Sequence, residues 1–163
     1  EKMSPVTYIT TQRTQPTRVA VISCKGPYSQ ISQQMIKLTT WLHAKSLKPA
    51  GPARGVYFNS PREVAPDDLV WEVQVPVASN QATCQPDAEG VFIKETPSAQ
   101  VVSALHKGPY SEVGTTYEQL AEWMINNGYV QAGPGEEIYL SNPATTRQQE
   151  LLTEVRLPIR PEQ

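Results

Sequence analysis

Gly26-Pro27-Tyr28-Ser29 occurs a second time in the sequence as Gly108-Pro109-Tyr110-Ser111, 82 positions later. The same spacing continues without a gap around this motif, and residues 19–77 and 101–159 share 17 identities over 59 positions. The matched residues include Trp41 with Trp123, Tyr57 with Tyr139, Pro61 with Pro143, and Glu72-Val73 with Glu154-Val155. Because the identities are spread through the window, they indicate that one structural unit occurs twice.

The residues after each Gly-Pro-Tyr motif follow the pattern of an amphipathic helix. Apolar side chains recur at i, i+4, i+7 and i+11, as Ile31, Met35, Leu38 and Leu42, and again as Val113, Tyr117, Leu120 and Met124. Ser29 and Ser111 are candidate N-caps, since a serine oxygen can accept hydrogen bonds from first-turn amides. Asn127-Gly128 predicts the end of the second helix, and the first is expected to end before Pro49.

Strands are predicted on both sides of each helix. Upstream, two hairpins are expected, one from residues 7–10 and 19–22 and the other from 91–94 and 101–105, across turns that contain Pro16 and Pro97. Downstream, residues 56–58 and 138–140 lead into residues 70–77 and 152–159, where apolar and polar residues alternate. Each unit is therefore predicted to be ββαββ.

Neither unit should be stable alone, because an open four-stranded sheet with one helix leaves a face and its edges unprotected. The fold class expected is α+β: two tandem ββαββ repeats related by a pseudo-twofold axis, with antiparallel sheets, helices on the outside and a central cleft. Repeat 1 covers about residues 5–78 and repeat 2 about residues 89–160. The polar stretch 79–88 between them has no periodicity and is the expected linker.

Composition excludes several classes of function. The 163 residues carry a formal net charge of −2, which does not favour direct binding to nucleic acid or to an anionic membrane. Cys24 and Cys84 show no metal-binding spacing, and His43 lies far from His106, so we expect no metal and no cofactor. The chain has no apolar run of membrane-spanning length and no signal-peptide pattern at its start, so a cytoplasmic location is expected.

The alternation of the strands predicts a binding cleft. The side under the helices should carry Val73, Val75 and Val77 in one unit, and Val155, Leu157 and Ile159 in the other. Val56 and Ile138 should likewise point away from the cleft. The opposite side would then carry Glu72 with Tyr57, and Glu154 with Tyr139. A concave surface with aromatic walls and a few polar groups is typical of small-molecule sites, so we expect the cleft on this face.

The sequence resembles the GyrI-like small-molecule-binding domain in a stand-alone form. The resemblance spans nearly the whole chain: a Val19-Ala20 strand, Gly-Pro-Tyr at a helix start, and above all residues 137–143 (EIYLSNP) followed by residues 151–155 (LLTEV). This domain also forms the effector-binding half of multidrug-responsive and AraC-type transcription activators. The resemblance implies two pseudo-symmetric halves within a single domain over residues 1–163, and a cleft for cationic, aromatic or amphipathic compounds. It also implies a buried glutamate as counter-charge, which corresponds to Glu154.

The other candidate ligand-binding residues are aromatic or acidic. Glu72 is expected on the same face of its strand as Glu154 is on its own. Tyr57 and Tyr139 could make cation–π contacts. Tyr28 and Tyr110 fit either packing at the helix start or contact at the rim of the cleft. Trp41 and Trp123 fit either the core or the cleft edge, and Trp71 is assigned no role.

Three further functions remain open. A hydrolase of strained electrophilic rings, of the cyclopropanoid type that some similar proteins are thought to open, could use Glu154 to activate water and Tyr139 or Tyr110 to donate a proton. A protein-binding inhibitor is possible, although no exposed apolar run or charged stripe indicates a protein partner. Haem binding has the least support, because neither histidine has a visible axial partner. Binding of a cationic or aromatic small molecule, for sequestration or sensing, is the function that the sequence favours.

Overall fold

The computed structural model describes residues 8–163, which form nine strands, two α-helices and four short 3-10 turns. The helices are α1 (Ile31–Ala44) and α2 (Gly114–Asn127). The strands of the first half of the chain are β1 (Ile9–Arg13), β2 (Thr17–Lys25), β3 (Arg54–Tyr57) and β4 (Val70–Pro76). Those of the second half are β5 (Val91–Thr96), β6 (Gln100–Lys107), β7 (Tyr129–Gln131), β8 (Gly135–Tyr139) and β9 (Leu152–Pro161). The α+β class is confirmed.

The strands belong to one antiparallel sheet, not to two. Its order is β1-β6-β9-β8-β3-β4-β2-β5, and β7 pairs with β9. The two halves join where β3 pairs with β8, and Gly55 lies opposite Glu137 at this junction. Pairings in one half recur 82 positions later in the other: Val19 lies opposite Pro76, and Val101 lies opposite Pro158. A pseudo-twofold axis through the centre of the sheet would produce this relation.

The two predicted hairpins do not form. Instead β1 pairs with β6, and β2 pairs with β5, so residues 9–22 and 91–104 run side by side as one bent ribbon. At the bend, the Thr14 amide donates to the Ala99 carbonyl at 2.8 Å. The two predicted turns, 14–16 and 97–99, contain proline but no glycine or asparagine, the residues that take up the positive φ of a two-residue hairpin turn. Proline instead keeps the chain extended, so each segment crosses from one half to the other. Thr7, in the first predicted strand, lies outside the described residues.

The sheet must curl strongly. Only three residues separate β1 from β2, although these strands lie six positions apart in the sheet order. A flat sheet would separate them by about 29 Å, whereas the connection can span at most about 14 Å. Both helices pack on one face, so the other face becomes the concave interior. The interior residues Val19, Val21, Val56, Val101 and Ile138 are accordingly buried without any helix over them.

Each helix covers its own apolar cluster on the outer face. Leu38, Trp41 and Leu42 of α1 pack over β2 and β4, and Leu120 and Met124 of α2 pack over β6 and β9. No helix in the described part of the chain has both the length and the hydropathy needed to cross a membrane. The central strands β3 and β8 lie between the two clusters, so neither helix packs directly over their outer face.

The helix ends agree in part with the sequence. Gly128 ends α2 in the left-handed conformation with φ of 77°, as Asn127-Gly128 predicts, and α1 ends at Ala44, before Pro49. The predicted serine caps are wrong, because each helix is preceded by a 3-10 turn, Tyr28–Gln30 or Tyr110–Glu112. No side chain caps either helix. The extra turn moves the helix start past Ser29 and Ser111.

Candidate functional site

Five tyrosines and one glutamate gather on the outer face of β3 and β8, between α1 and α2. We call this cluster the tyrosine groove, and it consists of Tyr28, Tyr57, Tyr110, Tyr117, Tyr139 and Glu137. The strand register places its floor, because residues directly opposite one another share a face. Tyr57 lies opposite Trp71, Tyr139 opposite Thr153, and Glu137 opposite Val155, so all three share the face on which the helices pack.

The floor and rim of the groove are linked across the centre of the sheet. The hydroxyls of Tyr57 and Tyr139 are 2.5 Å apart, which joins the two halves by a short hydrogen bond. Tyr28 packs edge-on to Tyr57 with ring centroids 4.9 Å apart, and Tyr110 packs edge-on to Tyr139 at 5.5 Å. Tyr28 and Tyr110 come from the 3-10 turns that precede the helices. The Gly-Pro-Tyr motifs therefore supply the rim.

Gly55 gives Tyr57 the room to lie flat. A Cβ atom at Gly55 would lie 2.4 Å from the Tyr57 hydroxyl oxygen, so only glycine allows the ring to fold back over the strand. Glu137 is directly opposite Gly55 on β8. The folded ring therefore brings a phenol towards the carboxylate.

Glu137 is a half-buried carboxylate whose one hydrogen bond within residues 8–163 comes from the phenol of Tyr117, at 2.7 Å. Burial raises its pKa, while the Tyr117 hydrogen bond and the nearby His106 oppose the rise. None of the ion pairs in the described structure involves it. The groove thus holds an acidic group without a cationic partner from this part of the chain.

The tyrosines of the groove stay protonated. Burial raises the pKa of each one, and the negative charge of Glu137 contributes to the rise in all five. Their phenols can therefore donate hydrogen bonds at neutral pH, and their rings present π faces. The cluster therefore combines aromatic faces, phenol donors and one carboxylate in one place.

A buried polar cluster lies beside the groove in the second half. His106 Nε2 is 3.0 Å from the Pro109 carbonyl oxygen, and its Nδ1 is 3.1 Å from Thr116 Oγ1. A carbonyl can only accept, so Nε2 carries a proton, and Nδ1 shares a hydrogen bond with the Thr116 hydroxyl. No group of three or more His, Cys, Asp or Glu side chains arranged to hold a metal occurs among residues 8–163.

Glu154 and Glu72, which the sequence places in the cleft, lie on the opposite, concave face. Glu154 is opposite Ile138 and Leu105, and Arg156 Nε donates to its carboxylate at 2.6 Å. Lys94 and Gln74 both donate to Glu72. Both glutamates lie on the face away from the helices, as predicted, but Tyr57 and Tyr139 do not share that face with them. The alternation of the short strands was assigned the wrong way round, because Val56 and Ile138 are buried on the concave face and burial alone does not identify the helix side. A one-residue offset in pairing exchanges the faces.

The tryptophans also lie outside the groove. Trp41 is 7% exposed in the core, and its indole Nε1 donates to Asp87 in the linker at 2.7 Å. Trp123 stacks on Tyr129 and borders a depression of about 280 Å³ on the far side of α2. A larger depression of about 430 Å³, lined by residues 83–85 and 92–95, is equally remote from the groove. Trp71 is fully buried, and its indole donates to the Gly26 carbonyl at 2.9 Å.

Of the eight candidates, the structure brings four together: Tyr28, Tyr57, Tyr110 and Tyr139. Sequence reasoning missed Glu137 and treated Tyr117 only as part of a helix stripe. The offset of 82 carried a usable signal, because it pairs Glu137 with Gly55 and Tyr117 with Met35. A titratable group that replaces an inert one in an otherwise matched pair marks a position where the halves differ in chemistry.

Comparison with known proteins agrees with this architecture. A family model described as the GyrI-like small molecule binding domain matches residues 9–160. No match was found among curated protein sequences.

Four solved structures illustrate the similarity. The EcmrR C-terminal domain is 17% identical, with a TM-score of 0.83 over 96% of this chain and 99% of that chain. EcmrR bound to DNA is matched over 58% of its own length. A protein from Listeria innocua described as a hydrolase is 16% identical, with a TM-score of 0.71 over 96% and 94%. SAV2435 bound to tetraphenylphosphonium is 11% identical, with a TM-score of 0.56 over 94% of each chain. At these identities the likeness shows the fold.

Proposed function

Since this chain belongs to the GyrI-like small molecule binding domain family, we propose that its ligands are aromatic cations, bound in the tyrosine groove for sequestration or sensing. The observation that carries the proposal is the carboxylate of Glu137. It is half-buried among five tyrosines, and no ion pair within residues 8–163 neutralises it. A buried carboxylate is costly unless a cation or hydrogen-bond donors meet it, so a cationic ligand would complete the site.

The surroundings of Glu137 favour a delocalised charge. Tyrosine rings attract cations through their π faces, and this attraction strengthens when the site is dry. Such contacts have weak directional demands, so the groove would accept cations of different shapes. The structural neighbour SAV2435, bound to tetraphenylphosphonium, supports this ligand class.

The test is a titration of the protein with tetraphenylphosphonium, followed by tryptophan fluorescence, with neutral triphenylphosphine oxide as the uncharged comparison. The variant Glu137→Gln keeps the size of the side chain and its hydrogen bonding but removes the charge. We expect it to raise the Kd for the cation by about 30-fold or more, because one partner of a buried charge pair is lost. The Kd for the neutral compound should stay unchanged.

Glu154→Gln is the matched control. It removes the same charge from the opposite face of the sheet, where Arg156 already neutralises it, so the Kd for the cation should change less than twofold. Equal binding of the neutral and cationic compounds, or an unchanged Kd in Glu137→Gln, would exclude a glutamate-centred cation site.

A hydrolase is the second candidate, and the Tyr117–Glu137 hydrogen bond is the observation that favours it. Glu137 could take a proton from water that attacks a strained electrophilic ring, while a groove phenol donates a proton to the carbon that leaves. The similar protein from Listeria innocua described as a hydrolase is consistent with this chemistry. Glu154, the base that the sequence suggests, lies on the other face of the sheet from Tyr139 and is not within reach of the groove phenols.

Turnover of a cyclopropane-bearing compound, measured by mass spectrometry, separates the two functions. If the chain is a hydrolase, Glu137→Gln and Tyr117→Phe should each abolish product formation, while Glu154→Gln should not. A wild-type protein that binds the compound and leaves it unchanged would reject the hydrolase.

A further inference from the structure

The second half of the groove contains a buried hydroxyl that nothing in the described structure satisfies. Thr153 is fully buried, and its Oγ1 has no hydrogen-bond partner within residues 8–163. On the sheet it lies directly between His106 and Tyr139, on the face of the groove. Buried hydroxyls are normally hydrogen-bonded, so this atom requires an explanation.

The neighbours of Thr153 cannot supply the missing bond. Both ring nitrogens of His106 are engaged, Nε2 with the Pro109 carbonyl and Nδ1 with the Thr116 hydroxyl. The Tyr139 hydroxyl is engaged with that of Tyr57. The Thr153 hydroxyl therefore keeps a free donor and free lone pairs beside the floor of the groove.

The space at the matching position in the first half is filled by a side chain. There Trp71 takes the place of Thr153, and its indole packs under Tyr28, with ring centroids 6.1 Å apart. Tyr28 is also held by a 2.9 Å hydrogen bond from its hydroxyl to the Asn59 carbonyl. The space below that rim tyrosine is filled, and the tyrosine itself is fixed.

Tyr110, at the rim of the second half, has neither restraint. Thr153 occupies the position that corresponds to Trp71, and the Tyr110 hydroxyl makes no hydrogen bond to the part of the chain that the structure describes. Its packing partner is Tyr139 alone among the groove rings. Rotation of Tyr110 would break no hydrogen bond within residues 8–163, whereas rotation of Tyr28 would break its bond to Asn59.

We propose that Thr153 determines ligand specificity and orientation, accepting a hydrogen bond from an N–H group on one end of an aromatic cation that enters beneath Tyr110. This inference rests on the proposed cation-binding function. The amine end would lie in the second half, near Thr153 and Glu137, and the apolar body would extend towards Tyr57 and Tyr28. Aromatic amines with N–H donors would then bind better than their fully alkylated counterparts.

Proflavine and acridine orange form a matched pair of probes. Both are planar acridinium cations at neutral pH, but proflavine carries amino groups with N–H donors, whereas acridine orange carries dimethylamino groups without them. The wild type should prefer proflavine. Thr153→Val, which replaces the hydroxyl with a methyl group of similar size, should weaken proflavine binding by about threefold to tenfold, the range expected for one hydrogen bond. Acridine orange binding should change less than twofold.

Thr153→Ser is the control that keeps the hydroxyl, and it should retain the preference for proflavine. Thermal unfolding of Thr153→Val should give an equal or higher Tm, since the variant loses an unpartnered polar atom. A Tm that falls by several degrees would show that the hydroxyl is already satisfied, for example by a buried water, and would overturn the proposal. Equal effects of Thr153→Val on both dyes, or no effect on either, would also overturn it.

The same measurements distinguish failure of the cation-binding function from failure of the role of Thr153. If neither dye binds the wild type, the cation-binding function itself is wrong, and the role of Thr153 falls with it. If both dyes bind and Glu137→Gln weakens both, but Thr153→Val leaves their ratio unchanged, the groove is a cation site and only the role of Thr153 is wrong.

Discussion

The two halves of the molecule share a backbone pattern and differ in the chemistry that they bring to the groove. The first half (residues 19–77) contributes Gly55, Met35, Trp71 and Cys24 at positions where the second half (101–159) has Glu137, Tyr117, Thr153 and His106. The strand registers are the same for the three pairs that lie on strands, since Cys24 pairs with Trp71 as His106 does with Thr153, and Gly55 pairs with Val73 as Glu137 does with Val155. Glu137 and Tyr117 place a carboxyl and a phenol where the first half has glycine and methionine, and Thr153 and His106 place a hydroxyl and an imidazole where it has an indole and a thiol.

This contrast indicates a division of labour in one groove. In the first half, Trp71, Tyr28 and the Asn59 carbonyl form a rigid, closed aromatic wall. In the second half, an acidic group and an unsatisfied hydroxyl lie beneath a rim tyrosine without a hydrogen bond to residues 8–163. A symmetric scaffold therefore offers an asymmetric surface, which suits a ligand that has one apolar and one charged end.

The largest loss of stability should follow from a substitution in the aromatic wall of the first half. Trp71→Ala removes a fully buried indole and leaves the Gly26 carbonyl without its donor. We expect the free energy of unfolding to fall by about 3–5 kcal/mol in urea denaturation. Thr153→Ala at the matching position should change it by about 1 kcal/mol or less, because a small side chain and an unpartnered hydroxyl are lost together. Similar losses in both variants would contradict the proposed difference between the halves.

A smaller effect is expected at the centre of the sheet. Gly55→Ala places a Cβ atom 2.4 Å from the Tyr57 hydroxyl oxygen, so the ring must leave its position over the strand. The overpacking should cost about 1–3 kcal/mol, and the Tyr57–Tyr139 hydrogen bond should break. Urea denaturation measures the first effect, and the phenol proton resonances in NMR report the second. Gly114→Ala, where a Cβ meets open space, should leave both unchanged.

Much of this fold could be predicted from the sequence because its signals are local. Helix periodicity located both helices, Gly128 marked the end of α2, and alternation located the long strands β4 and β9. The exchange of β1 and β5 between the halves could not be predicted, since strand pairing depends on contacts distant in sequence. A proline between two strand segments marks a break in the strand. It does not show whether the chain turns back as a hairpin or continues into the other half.

The site was predicted only in part for a related reason. The tyrosines were found, but their face was assigned from buried valines, and in a curled sheet valines are buried on both faces. Glu137 belongs to the run Gly135-Glu136-Glu137, where adjacent residues point to opposite faces. Only the pairing register shows that Glu137 faces the groove and Glu136 faces Arg156 on the concave side.

The charge of Glu137 should give the second half a pH dependence that the first half lacks. Burial raises the pKa of Glu137 in the folded state above its value in the unfolded chain. Its contribution to stability is therefore fully present below the unfolded-state pKa of about 4.3 and is lost as the pH rises through the folded-state pKa. The Tm of the wild type, relative to that of Glu137→Gln, should fall as the pH increases from 4 to 7. A constant difference across this range would contradict the raised pKa.

Binding should respond to pH in the opposite direction, because a cation prefers the ionised carboxylate. The Kd of tetraphenylphosphonium should decrease as the pH rises through the folded-state pKa of Glu137, and this dependence should disappear in Glu137→Gln. Glu154→Gln should retain it. A pH dependence that survives in Glu137→Gln would assign the titration to another group.

The smallest expected effect concerns a contact specific to the first half. Trp41 donates to Asp87, whose carboxylate also accepts from the amides of Glu89 and Val91, whereas the matching Trp123 instead stacks on Tyr129. Asp87→Ala should therefore loosen the linker locally while the Tm shifts by only a degree or two, since Asp87 is exposed. Hydrogen exchange should accelerate at the Glu89 and Val91 amides and stay unchanged at those of β9. Faster exchange in β9 as well would mean that the linker contact supports the whole sheet. The contacts of Trp41 and Trp123 would then not mark a local difference between the two halves.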